Sequence, residues 1–246
     1  MTDGVRIVDP YEIMRKSLRF DLIFKVELAC AWANDDVVAI RRAEEAYLEM
    51  VRARNGFYER MPAKRTPGDF IDGFRTVAFS IRQYGYDPHA EPVPIDVDGE
   101  VVNGAHRLSA CIAYGKRCPV IVSERLSTGG SRRAAFWKGK IAAEVENWGM
   151  RAYLRRFPDG RLADEFATEI VPDSPFPDWA LRARKLWLDS WLWRLREKAY
   201  LLRASTRTGE RRMKALRKAD ECRQRAEAPF ALAQYWKERM QVVERD

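Results

Sequence analysis

The sequence predicts an α+β fold, a small α/β core carried between helical regions. Three observations predict it. Apolar residues recur at helical spacing over residues 10–54 and again from Trp179 onward. Between these stretches, short strand-like runs at residues 92–97 and 118–122 interrupt the helical pattern. Turn sequences punctuate the runs: Asn55-Gly56, Asp98-Gly99 and Pro158-Asp159-Gly160. Four consecutive regions follow: residues 1–56 helical, 57–125 the α/β core, 126–175 a mixed helical extension, and 176–246 a basic helical region.

Asp9-Pro10 reads as a helix start, because a first-turn proline gives up an N–H that has no partner there anyway. Phe20, Ile23, Phe24, Glu27, Leu28 and Ala31 lay out one mostly apolar stripe. Asn34-Asp35-Asp36 then caps a helix through Ala39, Ala43, Tyr47 and Met50, which stops at Asn55-Gly56. In the core, Thr66-Pro67-Gly68-Asp69 opens a helix with Phe70, Ile71, Phe74, Val77, Ala78 and Ile81 on its apolar side, closed by Gln83-Tyr84-Gly85-Tyr86. Residues 92–97 alternate as a strand, Asp98-Gly99 turns, and residues 100–102 return as the second strand of a hairpin. A helix from about Arg107 to Tyr114 stops at Gly115, and residues 118–122 form a third strand. Residues 127–131 read as a turn, 132–146 as a helix and 172–177 as a proline-rich hinge. Beyond Trp179, Leu181, Leu188, Leu192, Leu195, Ala199 and Leu202 make a stripe regular enough to need burial. Thr208-Gly209 breaks that helix. A basic helix follows to about Glu227, Pro229 breaks it, and a last helix carries Leu232, Tyr235, Trp236 and Met240.

The chain has 246 residues and a formal charge of +8. That charge is not evenly spread. Residues 176–246 hold 18 Lys and Arg against 10 Asp and Glu, while residues 1–175 hold 26 of each. A basic face of this kind meets nucleic acid, anionic lipid or an acidic partner, or is simply a solvated helix surface. No apolar run is long enough to span a bilayer. Met1-Thr2-Asp3-Gly4 has neither a basic nor an apolar signal-peptide segment. Cys30, Cys111, Cys118 and Cys222 are scattered without metal-ligand spacing, so a reducing, cytoplasmic setting is expected. Trp187, Trp191 and Trp193 lie among Arg184, Lys185, Arg194 and Arg196. This cluster reads as a helix packed on its own domain, as a helix peripheral to a membrane surface, or as a single-stranded nucleic-acid contact.

One segment carries a specific chemical signal: Val101-Val102-Asn103-Gly104-Ala105-His106-Arg107, leading into Leu108-Ser109-Ala110-Cys111. A strand that delivers a glycine to a helix start brings backbone close to a ligand. The unpaired first N–H groups and the helix dipole then favour an anion. His106 and Arg107 add side-chain donors, so a phosphate is the expected guest. Ser109, one turn on, reads as a helix-surface residue.

These residues resemble the ParB/sulfiredoxin superfamily, in which a strand–turn–helix with G-x-H-R or G-x-R-R binds nucleotide phosphates. The resemblance covers residues 57–125. Ala105 stands where sulfiredoxin-like members carry cysteine, which argues against that chemistry. Chromosome-partitioning members read G-E-R-R and continue into a helix-turn-helix, which is not evident here. Free-serine-kinase-like members read D-G-x-H-R and match residues 103–107 best, with Asn103 in place of the acid. The resemblance implies that Asn103, Gly104, Ala105, His106 and Arg107 hold a nucleoside triphosphate, ATP with magnesium. It implies catalytic roles for His106 and for Glu59, the latter as the base that takes the acceptor's proton. Asp69 and Asp72 are further carboxylates, Asp69 also reading as a helix cap, and Lys64 and Arg65 lie in the same loop. The acceptor would be a hydroxyl of a small molecule or glycan. The other reading is a nucleotide-switched module that contacts nucleic acid through its basic C-terminal helices. A third is a domain that keeps the fold without catalysis.

Overall fold

A computed structural model describes residues 4–60, 62–87, 90–124, 140–171 and 179–243. The elements run β1 (Val5–Val8), α1 (Pro10–Lys16), α2 (Asp21–Ala33), α3 (Val37–Asn55), α4 (Pro67–Tyr84), β2 (Val93–Ile95), α5 (Ala105–Ala113) and β3 (Cys118–Val122). They continue with α6 (Ala143–Arg156), α7 (Ala163–Glu169), α8 (Trp179–Ser205) and α9 (Gly209–Val243). The described residues are thus mostly helical with one small mixed sheet, an α+β arrangement. The chain divides into two compact units that are not consecutive in sequence: residues 1–50 with 71–176, and residues 51–70 with 177–246.

In the first unit the sheet order is β1-β3-β2. β1 pairs antiparallel with β3, Val5 opposite Ile121 and Val8 opposite Cys118, and β2 pairs parallel with β3, Val93 opposite Val120. Strand β1 is absent from the sequence expectation. The predicted hairpin is reduced to a single bridge, Ile95 to Val101, with Asp96 N–H donating to Glu100 O at 2.8 Å and Val102 N–H to Pro94 O at 2.9 Å. The return segment leaves the sheet because Glu100 is needed elsewhere. It is 4% exposed and its carboxylate accepts from Ser17 Oγ at 2.8 Å and from the Leu18 amide at 2.7 Å, tying off the end of α1.

Helix α2 is buried on all sides, not along one stripe: Leu22, Ile23, Phe24, Val26, Leu28 and Ala29 are all fully enclosed. Its first turn holds a buried charge cluster. Asp21 accepts from Arg19 Nε at 3.1 Å and Nη2 at 2.8 Å, and from Lys25 Nζ at 2.5 Å. Arg19 also donates to Val101 O at 2.8 Å, linking the cluster to the bridge segment. Helix α5 packs against α2, α1 and β2. The expected helix over residues 132–146 falls largely outside the described residues, as does the hinge at 172–177. Within the described part, α6 starts at Ala143, where the Ala142 amide donates to Glu49 Oε1 at 3.3 Å.

In the second unit, α8 and α9 form a helical pair joined by a short turn. The seam of α9 is built from Ala215, Ala219, Cys222 and Ala226, all buried, whose small side chains allow close approach. Among the described side chains of α8, the buried ones are Leu186, Ser190 and Ala204. Two expectations are corrected here. Helix α9 runs unbroken through Pro229, because the seam continues past it to Leu232 and Ala233 and outweighs the one lost backbone bond. The described leucines of the α8 stripe are not buried: Leu188, Leu192, Leu195 and Leu202 are 49%, 43%, 42% and 70% exposed, and the Leu181 side chain lies outside the described residues. The stripe lies on the side of the helix away from Leu186, Ser190 and Ala204, since 3.6 residues per turn sets the two groups on opposite faces. The helix α4 start behaves as read, through a reciprocal cap. Asp69 Oδ2 accepts from the Arg65 and Thr66 amides at 2.8 and 2.9 Å, and Thr66 Oγ1 accepts from the Asp69 amide at 3.2 Å.

Candidate functional site

The candidate loop is set by the turn before it. Asp96 accepts from the amides of Asp98 at 3.0 Å and Glu100 at 2.9 Å, and Gly99 takes φ +84°. The chain then runs back past Pro94 and arrives at Gly104, the residue that caps α5. Gly104 has φ +78° and ψ 22°, a left-handed conformation that favours glycine. Space demands glycine as well. A Cβ here would stand 3.2 Å from Val93 Cγ2 and 3.1 and 3.3 Å from Nη2 and Nε of Arg107.

The first intrahelical bond of α5 is Leu108 N–H to Gly104 O at 3.0 Å. The amides of Ala105 and Arg107 lie before it in the first turn, and glycine at the cap offers them no side-chain acceptor. Helix α5 begins two residues earlier than expected, which puts Ala105, His106 and Arg107 in its first turn. Asn103 is exposed, and its Oδ1 accepts the Gly104 amide at 2.7 Å. The positive end of α5 therefore carries no side-chain cap, and one arm of a guanidinium lies beside Gly104.

Arg107 is held on its other arm. Its Nη1 donates to Tyr86 Oη at 3.1 Å and to Glu91 O, and Tyr86 Oη donates to Glu91 O at 2.7 Å. Burial pushes the Tyr86 phenol up to about 12, partly offset by Arg107, so it stays a donor through the neutral range. Nε and Nη2 are left on the Gly104 side. His106 points into the unit. Its ring stacks on Phe74 with centroids 4.3 Å apart and 19° between planes, and its Nε2 is 3.1 Å from the hydroxyl of the fully buried Tyr47. The His106 ring thus serves the packing of α5 on α3 and α4.

Glu59 belongs to the other compact unit. There it exchanges both backbone bonds with Lys64, each 3.1 Å, and its Oε2 pairs with Lys64 Nζ at 2.5 Å. Arg65 closes this small reversal by donating to Glu59 O and by covering the Tyr58 ring at 4.2 Å. Asp69 is the cap described above, and Asp72 is exposed, 3.7 Å from Arg75. Ser109 is corrected from a surface residue to a fully buried one, and its Oγ has no hydrogen-bond partner among the described residues.

Magnesium finds no protein carboxylate within residues 103–107, and the amide of Asn103 is committed to Gly104. Among the described residues no three or more His, Cys, Asp or Glu side chains are placed to share a metal ion. Two of the buried thiols, Cys30 and Cys118, are poor nucleophiles. Burial pushes Cys30 up to about 11, and contact with the Cys111 thiol together with burial pushes Cys118 well above its ordinary range. A cleft of about 230 Å³ lies at another part of the same unit. Its lining includes Arg6, Glu12, Lys16, Asp96, Asp98 and Gly99.

Sequence reasoning located residues 103–107 but missed the side chains that fix them. Tyr86, Phe74 and Tyr47 read only as parts of helices or their ends. No spacing rule connects Tyr47 to His106 across 59 residues. No protein-family model matches the chain, and no curated protein or solved structure matches it.

Proposed function

We propose that this chain binds the phosphates of a nucleotide at residues 103–107 and acts as a kinase-like phosphotransferase on a hydroxyl of a small molecule or glycan. The observation that carries the reading is the glycine-capped first turn of α5 with Arg107 beside it. A left-handed Gly104 leaves the Ala105 and Arg107 amides without a side-chain cap, and Arg107 holds two donor nitrogens beside Gly104. Backbone N–H groups, a helix dipole and a guanidinium converging on one point form an anion site suited to phosphate oxygens. The nucleotide would be a triphosphate, ATP, with magnesium liganded by its own phosphates and water, since the loop supplies no carboxylate. Phosphoryl transfer also needs a group to accept the hydroxyl proton. Glu59 is the candidate that the resemblance to free-serine-kinase-like proteins supplies, and its pairing with Lys64 would have to open for that role.

The experiment is titration calorimetry of the whole chain with ATP and magnesium, wild type against Arg107→Ala and His106→Ala. Losing a charge-assisted bond costs about 1.5–3 kcal/mol, so Arg107→Ala should weaken binding by roughly tenfold or more. His106→Ala removes the stack on Phe74 and should lower the melting temperature more than the affinity. Equal ATP affinity in wild type and Arg107→Ala refutes the site. Binding without transfer to any hydroxyl acceptor, unchanged by Glu59→Gln, leaves the phosphate site and removes the phosphotransferase.

A further inference from the structure

The exposed face of α8 is the largest feature the phosphate site leaves unused. Between Trp187 and Leu202 six large apolar side chains are at least 42% exposed: Trp187, Leu188, Trp191, Leu192, Leu195 and Leu202. At 100° per residue they fall on one side of the helix over a length of about 22 Å. Scattered surface leucines need no explanation, but a continuous stripe containing two tryptophans does. The stripe is also rigid. The opposite side of α8 is already packed on the alanine seam of α9, so the helix is formed before anything covers the stripe.

The charges around the stripe decide what fits it. Arg184, Lys185, Arg194, Arg196, Lys198 and Arg203 are all exposed. Lys185, Arg196 and Arg203 project along one edge, Arg194 and Lys198 along the other. The acids of the same stretch are Asp189 and Glu197. Glu197 is turned inward and paired with Arg223 of α9 at 2.8 Å. A second copy of the chain docking on this face would bring one set of cations against another. A nucleic acid would suit the cations but gains little from leucine side chains. A surface that is apolar inside and anionic at its rim suits both.

We infer that the α8 stripe lies on an anionic lipid bilayer, parallel to its plane. Leu188, Leu192 and Leu195 enter the acyl boundary, Trp187 and Trp191 sit at the interface, and the flanking Arg and Lys reach the headgroup phosphates. Their methylene stems extend the apolar contact while the charged ends stay in water. The association is peripheral, since no helix among the described residues is long and apolar enough to cross a membrane.

The test is vesicle flotation of the whole chain with phosphatidylcholine alone and with phosphatidylglycerol added, at low and moderate salt, with tryptophan emission followed in parallel. Binding is expected only with phosphatidylglycerol, weakening as salt rises, with a blue shift in emission. The double variant Leu188→Asp, Leu195→Asp should lose at least about tenfold in vesicle affinity while keeping its circular dichroism spectrum. Replacing Lys185, Arg196, Lys198 and Arg203 with Gln should remove the phosphatidylglycerol dependence. Failure to float with anionic vesicles overturns the inference, as does a leucine variant that floats like wild type or that unfolds. It is equally overturned if light scattering shows a dimer that the leucine change disperses, which would assign the stripe to a second copy. Single-stranded DNA binding abolished by the same change would assign it to nucleic acid.

Discussion

Helix α2 places its apolar residues and even its charges inside the first unit, whereas α8 keeps two tryptophans and a row of leucines in solvent. Both are rich in large apolar residues, and neither shows the simple one-sided pattern of a surface helix. In α2 the reason is that neighbours cover every side: α5 and α6 pack on it, and its charges are satisfied internally by Arg19, Asp21 and Lys25. In α8 the helix has two apolar faces, one spent on α9 and one not. Apolar periodicity therefore reports that a face wants cover. It does not report whether this chain supplies it.

The sharpest way to break that contrast is the charge cluster of α2. Asp21 is fully buried and accepts from both Arg19 and Lys25, which are 6% and 5% exposed. Asp21→Ala leaves two buried cations short of the carboxylate they share. Removing one partner of such a cluster costs about 3–5 kcal/mol, and urea denaturation should show it as a fall in midpoint at unchanged slope. A loss under about 1 kcal/mol would mean that water reaches the cluster and that α2 is less enclosed than its burial states.

A smaller effect is expected where α6 meets α2. A Cβ on Gly149 would stand 2.8 Å from Phe24 Cζ and 3.0 Å from Phe20 Cζ, and both rings are fully buried in a T-shaped pair with centroids 5.1 Å apart. Rings enclosed on all sides have little room to yield, so Gly149→Ala should destabilise by about 1–3 kcal/mol through overpacking. A gain in thermal midpoint, as expected for an ordinary exposed helix glycine, would show that α6 is not pressed against α2.

Much of the local structure was legible in the residues. Pro10, the Thr66 to Asp69 cap and the Asp98-Gly99 turn act over four residues or fewer, so composition and spacing suffice to find them. The same holds for the local form of residues 103–107, where Gly104 caps a helix that carries Arg107 in its first turn. What was not legible depends on distant partners. β1 is four residues long with Arg6 in it, and it is a strand only because β3 lies alongside more than a hundred residues later. His106 looked like a ligand-facing residue beside Gly104, and only the folded chain brings Phe74 and Tyr47 against its ring. Pro229 has the local signature of a helix break, overridden by the α9 seam on either side of it.

The smallest predicted effect is the one that separates the two helices most cleanly. Leu192 is 43% exposed on the free face of α8, while Leu28 of α2 is fully buried. Gln has nearly the helix propensity of Leu, so the backbone term is small in both places. Leu192→Gln trades one solvated side chain for another and should change folding stability by no more than about 0.5 kcal/mol. Leu28→Gln buries an amide and forfeits the packing of a core leucine, a loss of about 2–5 kcal/mol by comparison with truncation to alanine. The two variants, melted side by side in dilute solution, should differ by several kcal/mol for the same chemical change. If Leu192→Gln destabilises like Leu28→Gln, the α8 stripe is already covered in solution, and its exposure no longer distinguishes it from α2.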